Sequence, residues 1–317
     1  HHTCHAATAA LTSGWNKCLV ITADGRGDGI TSTVSIFENN ELKRLSYSTV
    51  ESSLGHFFGA VTEAIGFRYG NDEGKTEALA AFGKETKAYN ILKSFFHVEE
   101  LEIKGKLAPY HRNISLKFSH LLKDFRKEDS AYAAQRVLDE TVTELVKNAI
   151  RITGINQVVL AGGIFYNVKT NQKIYQIPEV ADMYIYPAAG DSGVSIGAVL
   201  LDSHLHEGIK NKKTEHVYYG ASYSNDYIKT VLDKTDFEYE YIEDIGSYVG
   251  SEIIPNDSMV GWFRGSMEFG PRALGARSVL ISPKKLENKK KILSTIKKRP
   301  EFQPFCPSIP HESMKDY

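Results

Sequence analysis

The sequence predicts an α/β protein. Short apolar runs typical of buried strands occur at Cys18–Ala23 (CLVITA) and Gln157–Ala161 (QVVLA). Between them, Ser130–Gly154 carries apolar residues at a spacing near 3.6, which predicts a long amphipathic helix ended by Gly154. Strand-like and helix-like segments keep alternating along the chain, so we expect α/β structure in both of its parts.

Other segments of the first part fit the same pattern. An Ala- and Thr-rich stretch predicts a helix from about Thr3, and a second strand, Thr31–Phe37, follows the turn Asp24–Gly29 (DGRGDG). Ser52–Lys84 is expected to form an amphipathic helix, a turn and a short helix, whereas Thr86–Ser119 shows little pattern. Two more elements are expected, a strand at Tyr184–Pro187 and a helix within Ala188–Leu201.

The polar run Asp202–Glu215 is the natural domain boundary, because charged, exposed segments usually connect domains. We therefore predict domains at residues 1–208 and 209–317. The elements expected in the second domain are helices at Asp226–Thr235, Ile245–Ile253 and Pro283–Lys297 and strands at Phe237–Ile242, Met259–Phe263 and Ser278–Ile281.

Composition narrows the function classes. The 317 residues are 42% hydrophobic and 24% charged, enough to bury a large core, and the formal net charge is −1. We expect neither nucleic-acid nor membrane binding, because no basic field and no apolar segment of about 20 residues is present. The three cysteines, Cys4, Cys18 and Cys306, have no CxxC spacing, which favours a reducing cytoplasm.

The segment HHTCHAATAA contains a candidate metal-binding pair. On a helix, His1 and His5 lie one above the other, and two imidazoles so placed suit a divalent cation. His2 points about 100° away from His1 and is the weaker candidate. The alternatives are the end of a purification tag or simple surface histidines.

Two glycine-containing turns are candidates for ligand contact. The strand ending in Gly162 and Gly163 precedes a helix with Asn167, so backbone N–H groups can meet an anion or a nucleotide there. Asp191 precedes an apolar helix and could contact a metal or cap that helix. The turn that begins at Asp24 is a weaker signal, because Asp and Gly also dominate plain hairpins.

The stretch Gly261–Ser282 (GWFRGSMEFGPRALGARSVLIS) predicts an anion site. Glycines allow the backbone to approach a ligand, while Arg272 and Arg277 supply two planar guanidiniums that suit phosphate or carboxylate. The alternative is a plain turn in which Arg272 pairs with Glu268.

These motifs resemble those of the O-carbamoyltransferases, the family of nodulation-factor and antibiotic carbamoylating enzymes. MEFGPRALGARS matches the family's usual wording, as does IKKRPEFQPFCPS, and HHTCHAATAA, the Gly162–Gly163 loop and AGDSGVSIGAVL follow in family order. Two positions depart, Ser266 and Gln303, where the family normally has Arg. Arg264 and Lys298 stand close enough in sequence to compensate.

The resemblance implies an actin-like ATPase (ASKHA) type domain followed by a YrdC-like α/β domain. It also implies the substrates carbamoyl phosphate and ATP, a small hydroxyl acceptor, and a divalent cation, iron(II) by analogy or else Mg or Mn. Because the sequence begins at His1 inside a motif, we expect an additional N-terminal part. The sequence ends soon after Glu312, so we also expect the second domain to continue beyond it.

The resemblance further implies roles for named residues. The metal ligands would be His1, His5, Asp24 and Asp191. The nucleotide-binding residues would be Gly162, Gly163, Asn167, Gly190 and Lys75, although Lys75 can equally be a solvated side chain. The carbamoyl-phosphate site would contain Arg264, Arg272, Arg277, Ser278, Arg299 and Ser308, and the catalytic residues would be His5, Arg272 and Arg277.

Three rival functions remain. A threonylcarbamoyl transferase acting on tRNA would share the metal pair, but the neutral charge and the FGPRALG segment argue against it. A hydrogenase-maturation carbamoyltransferase would need cysteine-rich zinc modules, which three scattered cysteines cannot form. A non-catalytic nucleotide-binding module is compatible with the cations lost at Ser266 and Gln303.

Overall fold

A computed structural model describes residues 1–316 of the chain. The chain forms two compact units, the first from His1 to Glu215 and the second from His216 onward. The boundary between the units, after Glu215, lies closer to the C-terminus than the predicted boundary at 208/209. The reason is that the Lys212 and Thr214 amides donate to the carbonyls of Leu11 and Thr12, both at 2.9 Å, so the preceding polar run packs onto the first unit.

A five-stranded sheet forms the centre of the first unit. Its strands are β1 (Lys17–Gly27), β2 (Ile30–Glu38), β3 (Glu41–Thr49), β6 (Gln157–Ala161) and β7 (Asp182–Ile185). Their spatial order is β3-β2-β1-β6-β7. The first three strands form an antiparallel meander, while β6 and β7 run parallel to β1.

Helix α1 (His2–Ser13) packs on one face of this sheet. Its alanines are buried against Cys18, Val20 and Val159, and small side chains allow this close approach. Alternate residues of a strand point to opposite faces, so Leu19 and Ile21, also fully buried, face the other layer. That layer includes α2 (Leu54–Ala64) and α6 (Lys127–Thr153), which pack against β1.

Helix α8 (Val194–Glu207) lies directly on α1. The hydroxyl of Thr8 donates to the carbonyl of Gly193 at 2.9 Å. At Gly197, an added Cβ would lie 2.0 Å from the Cys4 carbonyl oxygen and 2.3 Å from Thr8 Oγ1. The two helices can therefore touch only because this position has no side chain.

The chain between β3 and α6 is regular structure, including Thr86–Ser119, where the sequence shows little pattern. Around α2 it forms a small layer whose rings pack edge to face, with the Phe57 ring 5.0 Å from that of Phe96 and 5.7 Å from that of Phe118. The elements are α3 (Glu73–Ala80), α4 (Lys87–Lys93), the hairpin of β4 (Phe96–Glu99) and β5 (Glu102–Gly105), and α5 (His111–Leu122).

The second unit is less regular. Within residues 216–316 its one sheet pairs β8 with β9 in antiparallel register. The predicted strand at Phe237–Ile242 is wrong: it has no partner strand, and Phe237 is 74% exposed. The elements are α9 (Asn225–Leu232), α10 (Ile245–Tyr248), β8 (Val260–Phe263), β9 (Arg277–Leu280) and α11 (Leu286–Ile292), with short π-helical turns after α10 and α11.

The chain is thus mixed α/β, as the sequence predicts. Among residues 1–316, no helix combines the length and the apolar character needed to cross a membrane.

Candidate functional site

Two histidines at the start of α1 share one side of the helix. The His5 amide donates to the His1 carbonyl at 3.1 Å, which places the rings one turn apart. Their Nε2 atoms lie 3.2 Å from each other. The side chain of His5 is 1% exposed and that of His1 18%, so His5 is fully buried and His1 largely so.

Two carboxylates from distant parts of the chain complete this group. Asp24, near the end of β1, places Oδ2 3.0 Å from His5 Nε2 and 3.4 Å from His1 Nε2. Asp191 lies in the turn before α8, and its Oδ1 is 3.5 Å from His5 Nε2 and 3.7 Å from His1 Nε2. The four ligating atoms lie within 4.8 Å of one another, and we call these residues the donor cluster.

A neighbouring helix holds the turn after Asp24, and Asp191 has no part in capping α8. Helix α8 begins after Gly193 without a side-chain cap, so Asp191 does not serve as its N-cap. The turn after Asp24 is tied to α2, because the Ser53 hydroxyl donates to the Gly25 carbonyl at 2.6 Å. Gly55 touches the same turn, where a Cβ would lie 2.6 Å from the Gly25 nitrogen.

The electrostatics of the donor cluster suit a divalent cation. Burial acts to raise the pKa of Asp24, but hydrogen bonds from His5 and the Gly25 amide outweigh it and hold that pKa at about 2. Partial burial and the negative charge of Asp24 raise the pKa of Asp191. A cation between the two carboxylates would remove their repulsion, and mixed imidazole and carboxylate ligands suit a transition metal.

His2 lies outside the donor cluster, in agreement with its predicted direction on the helix. Its Nδ1 is 2.8 Å from Thr22 Oγ1 and its Nε2 3.0 Å from the Ile30 carbonyl. Burial lowers its pKa to about 4, so the neutral ring donates to Ile30 and accepts from Thr22. His2 therefore joins α1 to the central hairpin.

The Gly162–Gly163 loop adjoins the donor cluster. Gly162 has φ 106° and donates its amide to the Ala189 carbonyl at 2.7 Å, and a Cβ there would lie 2.1 Å from the Ala23 carbonyl oxygen. A Cβ at Gly163 would lie 3.0 Å from Asp24 Oδ1. The loop that the sequence predicts to bind nucleotide thus touches a predicted metal ligand.

The other predicted nucleotide-binding residues have protein partners. Asn167 caps α7 (Val168–Tyr175) by accepting from the Thr170 amide at 2.9 Å. Lys75 forms an ion pair with Asp72 at 2.8 Å. Gly190 packs against the ring of Tyr166, where a Cβ would lie 2.7 Å from the ring.

In the second unit, Glu268 organises the predicted anion site. Its Oε1 accepts from the amides of Leu274 and Ala276 at 2.7 and 2.6 Å and from that of Arg277 at 3.2 Å. Its Oε2 lies 3.3 Å from Arg277 Nε. Although burial acts to raise it, these amide hydrogen bonds lower the pKa of Glu268 to about 2. Glu268 thus forms an ion pair with Arg277.

The predicted cationic residues differ in how they are held. Arg277 also donates to the Gly270 carbonyl at 2.5 Å, so its guanidinium supports the loop. Arg264 follows β8 and is exposed, and its amide donates to the Ala276 carbonyl at 2.8 Å. Ser278 is half-buried on β9. The predicted residues Arg272, Arg299 and Ser308 are exposed.

Two family models match the chain. One, described as the carbamoyltransferase N-terminus, covers residues 1–200, and the other, described as the carbamoyltransferase C-terminus, covers residues 251–317. The chain belongs to the carbamoyltransferase family. The N-terminal model contains the donor cluster and the C-terminal model contains the Glu268 loop, so both units carry family sequence.

Relatives of the chain include named carbamoyltransferases. The nodulation protein NolNO of Sinorhizobium fredii is 30% identical over 100% of the chain and 48% of its own length. An uncharacterized protein of Methanocaldococcus jannaschii is 36% identical over 98% of the chain and 55% of its own length. The 3'-hydroxymethylcephem-O-carbamoyltransferase of Streptomyces clavuligerus is 25% identical over 75% of the chain and 44% of that enzyme.

The chain spans about half the length of the curated relatives it matches. Among solved structures, HypF of T. kodakarensis has a TM-score of 0.48 and 18% identity, covering 66% of this chain and 36% of that one. At this level of similarity, no shared activity follows.

Sequence reasoning about this carbamoyltransferase family member missed two residues near the loop. Glu77 accepts from the Lys169 amide at 3.0 Å, in the first turn of α7. Gln135, on α6, hydrogen-bonds Asn167 through both of its terminal atoms. Both residues lie on helices that are distant in sequence from this loop, so no local sequence motif predicts their contacts with it.

Proposed function

We propose that the chain is part of an O-carbamoyltransferase that moves a carbamoyl group from carbamoyl phosphate, through an ATP-derived carbamoyladenylate, to the hydroxyl of a small or sugar-like molecule. The observation that carries this proposal is the donor cluster: four ligating atoms within 4.8 Å, with Gly163 against Asp24. Two relatives named for nodulation and for cephem O-carbamoylation support it. We further propose an actin-like first domain and a YrdC-like second domain, in the cytoplasm.

The donor cluster would hold one divalent cation through His1, His5, Asp24 and Asp191. Iron(II) follows from the family resemblance, and Mg or Mn also suits carboxylate oxygens. When bound, such an ion supplies Lewis-acid polarisation of an acyl or phosphoryl oxygen. The hydrogen bond from the Gly25 amide to Asp24 Oδ1, at 2.6 Å, orients that carboxylate so that Oδ2 faces the histidines.

The Gly162–Gly163 loop would bring backbone close to a nucleotide. Because neither residue has a side chain, phosphate or ribose could approach the main chain beside Asp24. Gly190, across the Ala189 hydrogen bond from this loop, would line the same side. Asn167 would act on the nucleotide through the loop that it terminates.

In the second unit, exposed guanidiniums would bind the phosphate of the donor. Arg264, Arg272 and Arg299 carry fixed charges that can neutralise charge building up on phosphorus. Arg277, held by Glu268, would shape the loop and contribute its positive charge, while Ser278 and Ser308 would add hydroxyl donors. In the adenylation step, water would first cleave carbamoyl phosphate into carbamate and inorganic phosphate. A carbamate oxygen would then attack the α-phosphorus of ATP and displace pyrophosphate.

The test uses the full-length protein with ATP and carbamoyl phosphate. We expect pyrophosphate release that depends on carbamoyl phosphate and falls at least about 100-fold in Arg272→Ala, because a guanidinium on a transferring phosphoryl group typically contributes that much. Mass spectrometry of a cell extract incubated with the enzyme should reveal products heavier by one carbamoyl group. Release of AMP from threonylcarbamoyl-adenylate, without pyrophosphate release from ATP and carbamoyl phosphate, would refute the proposed donor.

A further inference from the structure

A buried polar cluster joins α6 to the start of α7, behind the Gly162–Gly163 loop. Gln135 is 6% exposed, Asn167 9% and Thr170 0%. Asp139, one turn after Gln135, is half-buried at its edge. Burying a polar side chain costs free energy unless its hydrogen bonds are made inside the protein. The hydrogen bonds among these residues therefore favour one arrangement of their side chains.

Gln135 is at the centre of these hydrogen bonds. Its Nε2 donates to Asn167 Oδ1 at 3.0 Å and to Asp139 Oδ1 at 2.8 Å, and its Oε1 accepts from Asn167 Nδ2 at 2.9 Å. Thr170 Oγ1 also donates to Asp139 Oδ1, at 2.7 Å. The amide group of Asn167 is therefore committed on both sides, to Gln135 and to the Thr170 amide.

This pairing reaches the donor cluster through the backbone. Asn167 ends the 3-10 turn Gly163–Tyr166, and its own amide donates to the Ile164 carbonyl at 3.0 Å. The turn begins at Gly163, which lies against Asp24 Oδ1. A shift of Asn167 would therefore move the loop relative to Asp24.

We propose that Gln135 is a positioning residue: by pairing with Asn167, it holds the Gly163–Tyr166 turn against Asp24 and so sets the affinity for both the cation and the nucleotide. The nucleotide part rests on the proposed carbamoyl transfer, whereas the cation part rests only on the donor cluster. On this basis the loop recognises its ligand through main-chain atoms, and the Asn167 side chain faces away from it, toward α6.

Two variants separate this role from helix capping. Gln135→Leu keeps the volume but removes both hydrogen bonds to Asn167. Asn167→Ser retains a good N-cap for α7 while cutting the link to Gln135. As a matched control, Arg136→Gln alters the next residue of α6, whose partners are Glu85 and Glu140, away from α7.

The measurements are the dissociation constant of Mn²⁺ alone, by calorimetry without nucleotide, and the KM for ATP and kcat of pyrophosphate release by the full-length protein. In both variants we expect Mn²⁺ to bind several-fold more weakly. For Gln135→Leu we expect the KM for ATP to rise about tenfold, the usual effect of losing one or two hydrogen bonds, with kcat within about twofold. Arg136→Gln should change neither constant.

Unchanged Mn²⁺ affinity in both variants would overturn the proposal, as would an equal loss in Arg136→Gln. If Gln135→Leu does not fold, Asn167→Ser alone decides through the Mn²⁺ measurement. If the wild-type protein binds Mn²⁺ but releases no pyrophosphate from ATP, the proposed function fails. The Mn²⁺ dissociation constants of the variants then still test the role of Gln135.

Discussion

His5 lies close to all three other residues of the donor cluster. Its Nε2 lies 3.2 Å from His1 Nε2, 3.0 Å from Asp24 Oδ2 and 3.5 Å from Asp191 Oδ1. It is also almost fully buried, so its ring cannot turn away without disturbing the packing of α1. A change at this residue tests the whole cluster.

We expect His5→Ala to weaken divalent-cation binding at least about 100-fold, because even partners outside the ligand shell contribute 10–100-fold. Carbamoyl transfer should be lost, while pyrophosphate release at saturating ATP should remain, because the guanidiniums proposed for that step lie in the second unit. Binding is measured with Co²⁺ by absorption spectroscopy. His206→Gln, an exposed histidine paired only with Asp202 among the described residues, is the control. Transfer at the normal rate in His5→Ala would refute the assignment.

The buried carboxylate of Glu268 should make the stability of the second unit depend on pH. Its pKa is lowered from 4.5 to about 2 in the folded protein, so the unfolded chain binds more protons between these values. The stabilisation is therefore complete above about pH 5 and is lost as the pH falls toward 2, by about 2–3 kcal/mol. In Glu268→Gln this contribution should disappear, so urea unfolding of the second unit should show a smaller loss of stability between pH 7 and pH 3 than in the wild-type protein. Equal pH dependence in both proteins would contradict it.

Some functional residues were readable from the sequence and others were not. The spacing of His1 and His5 predicts a shared helix face, and the structure confirms it. Local sequence spacing does not identify Asp24 and Asp191 as metal ligands, because Asp is also common in turns that bind nothing. Only the family resemblance groups them with the histidines. Gln135 carried no signal, since a glutamine inside a helix is usually solvated.

At the level of elements, the contact between α1 and α8 positions Asp191. We expect Gly197→Ala to push the helices apart, destabilise the protein by about 1–3 kcal/mol and weaken cation binding, because its Cβ would overlap the Cys4 carbonyl. Gly74→Ala in α3 is the matched control: nothing lies within 4 Å of its Cβ, so a gain of about 0.5–1 kcal/mol is expected. Chemical unfolding measures both, and a neutral Gly197→Ala would show that the helices adjust.

The elements themselves were predicted unevenly. Apolar runs bounded by glycine correctly predicted β1, β2 and β6, because buried strands leave a continuous signal. Strand β3 was missed, since its residues are largely exposed and its sequence ELKRLSYST is mostly polar. Phe237–Ile242 alternates like a strand, but alternation cannot supply the neighbouring strand that a sheet requires.

At the level of the whole molecule, the donor cluster belongs entirely to the first unit. A cation that binds only the folded form should therefore stabilise that unit, by about 2.7 kcal/mol at a concentration 100 times its dissociation constant. We expect calorimetry to resolve two transitions, of which Mn²⁺ raises one. His5→Ala should abolish the shift without affecting the other transition. A shift of both transitions in His5→Ala would mean that the cation binds elsewhere.

The hydrogen bond from Thr8 to Gly193 joins residues 185 positions apart. On the ribosome, synthesis of that much chain takes on the order of tens of seconds. Throughout this interval α1 lacks α8, so the side of α1 that carries Cys4 and Thr8 stays uncovered and accessible to chaperones. Nascent chains stalled before Gly193 should therefore recruit them, whereas chains released after α8 should not.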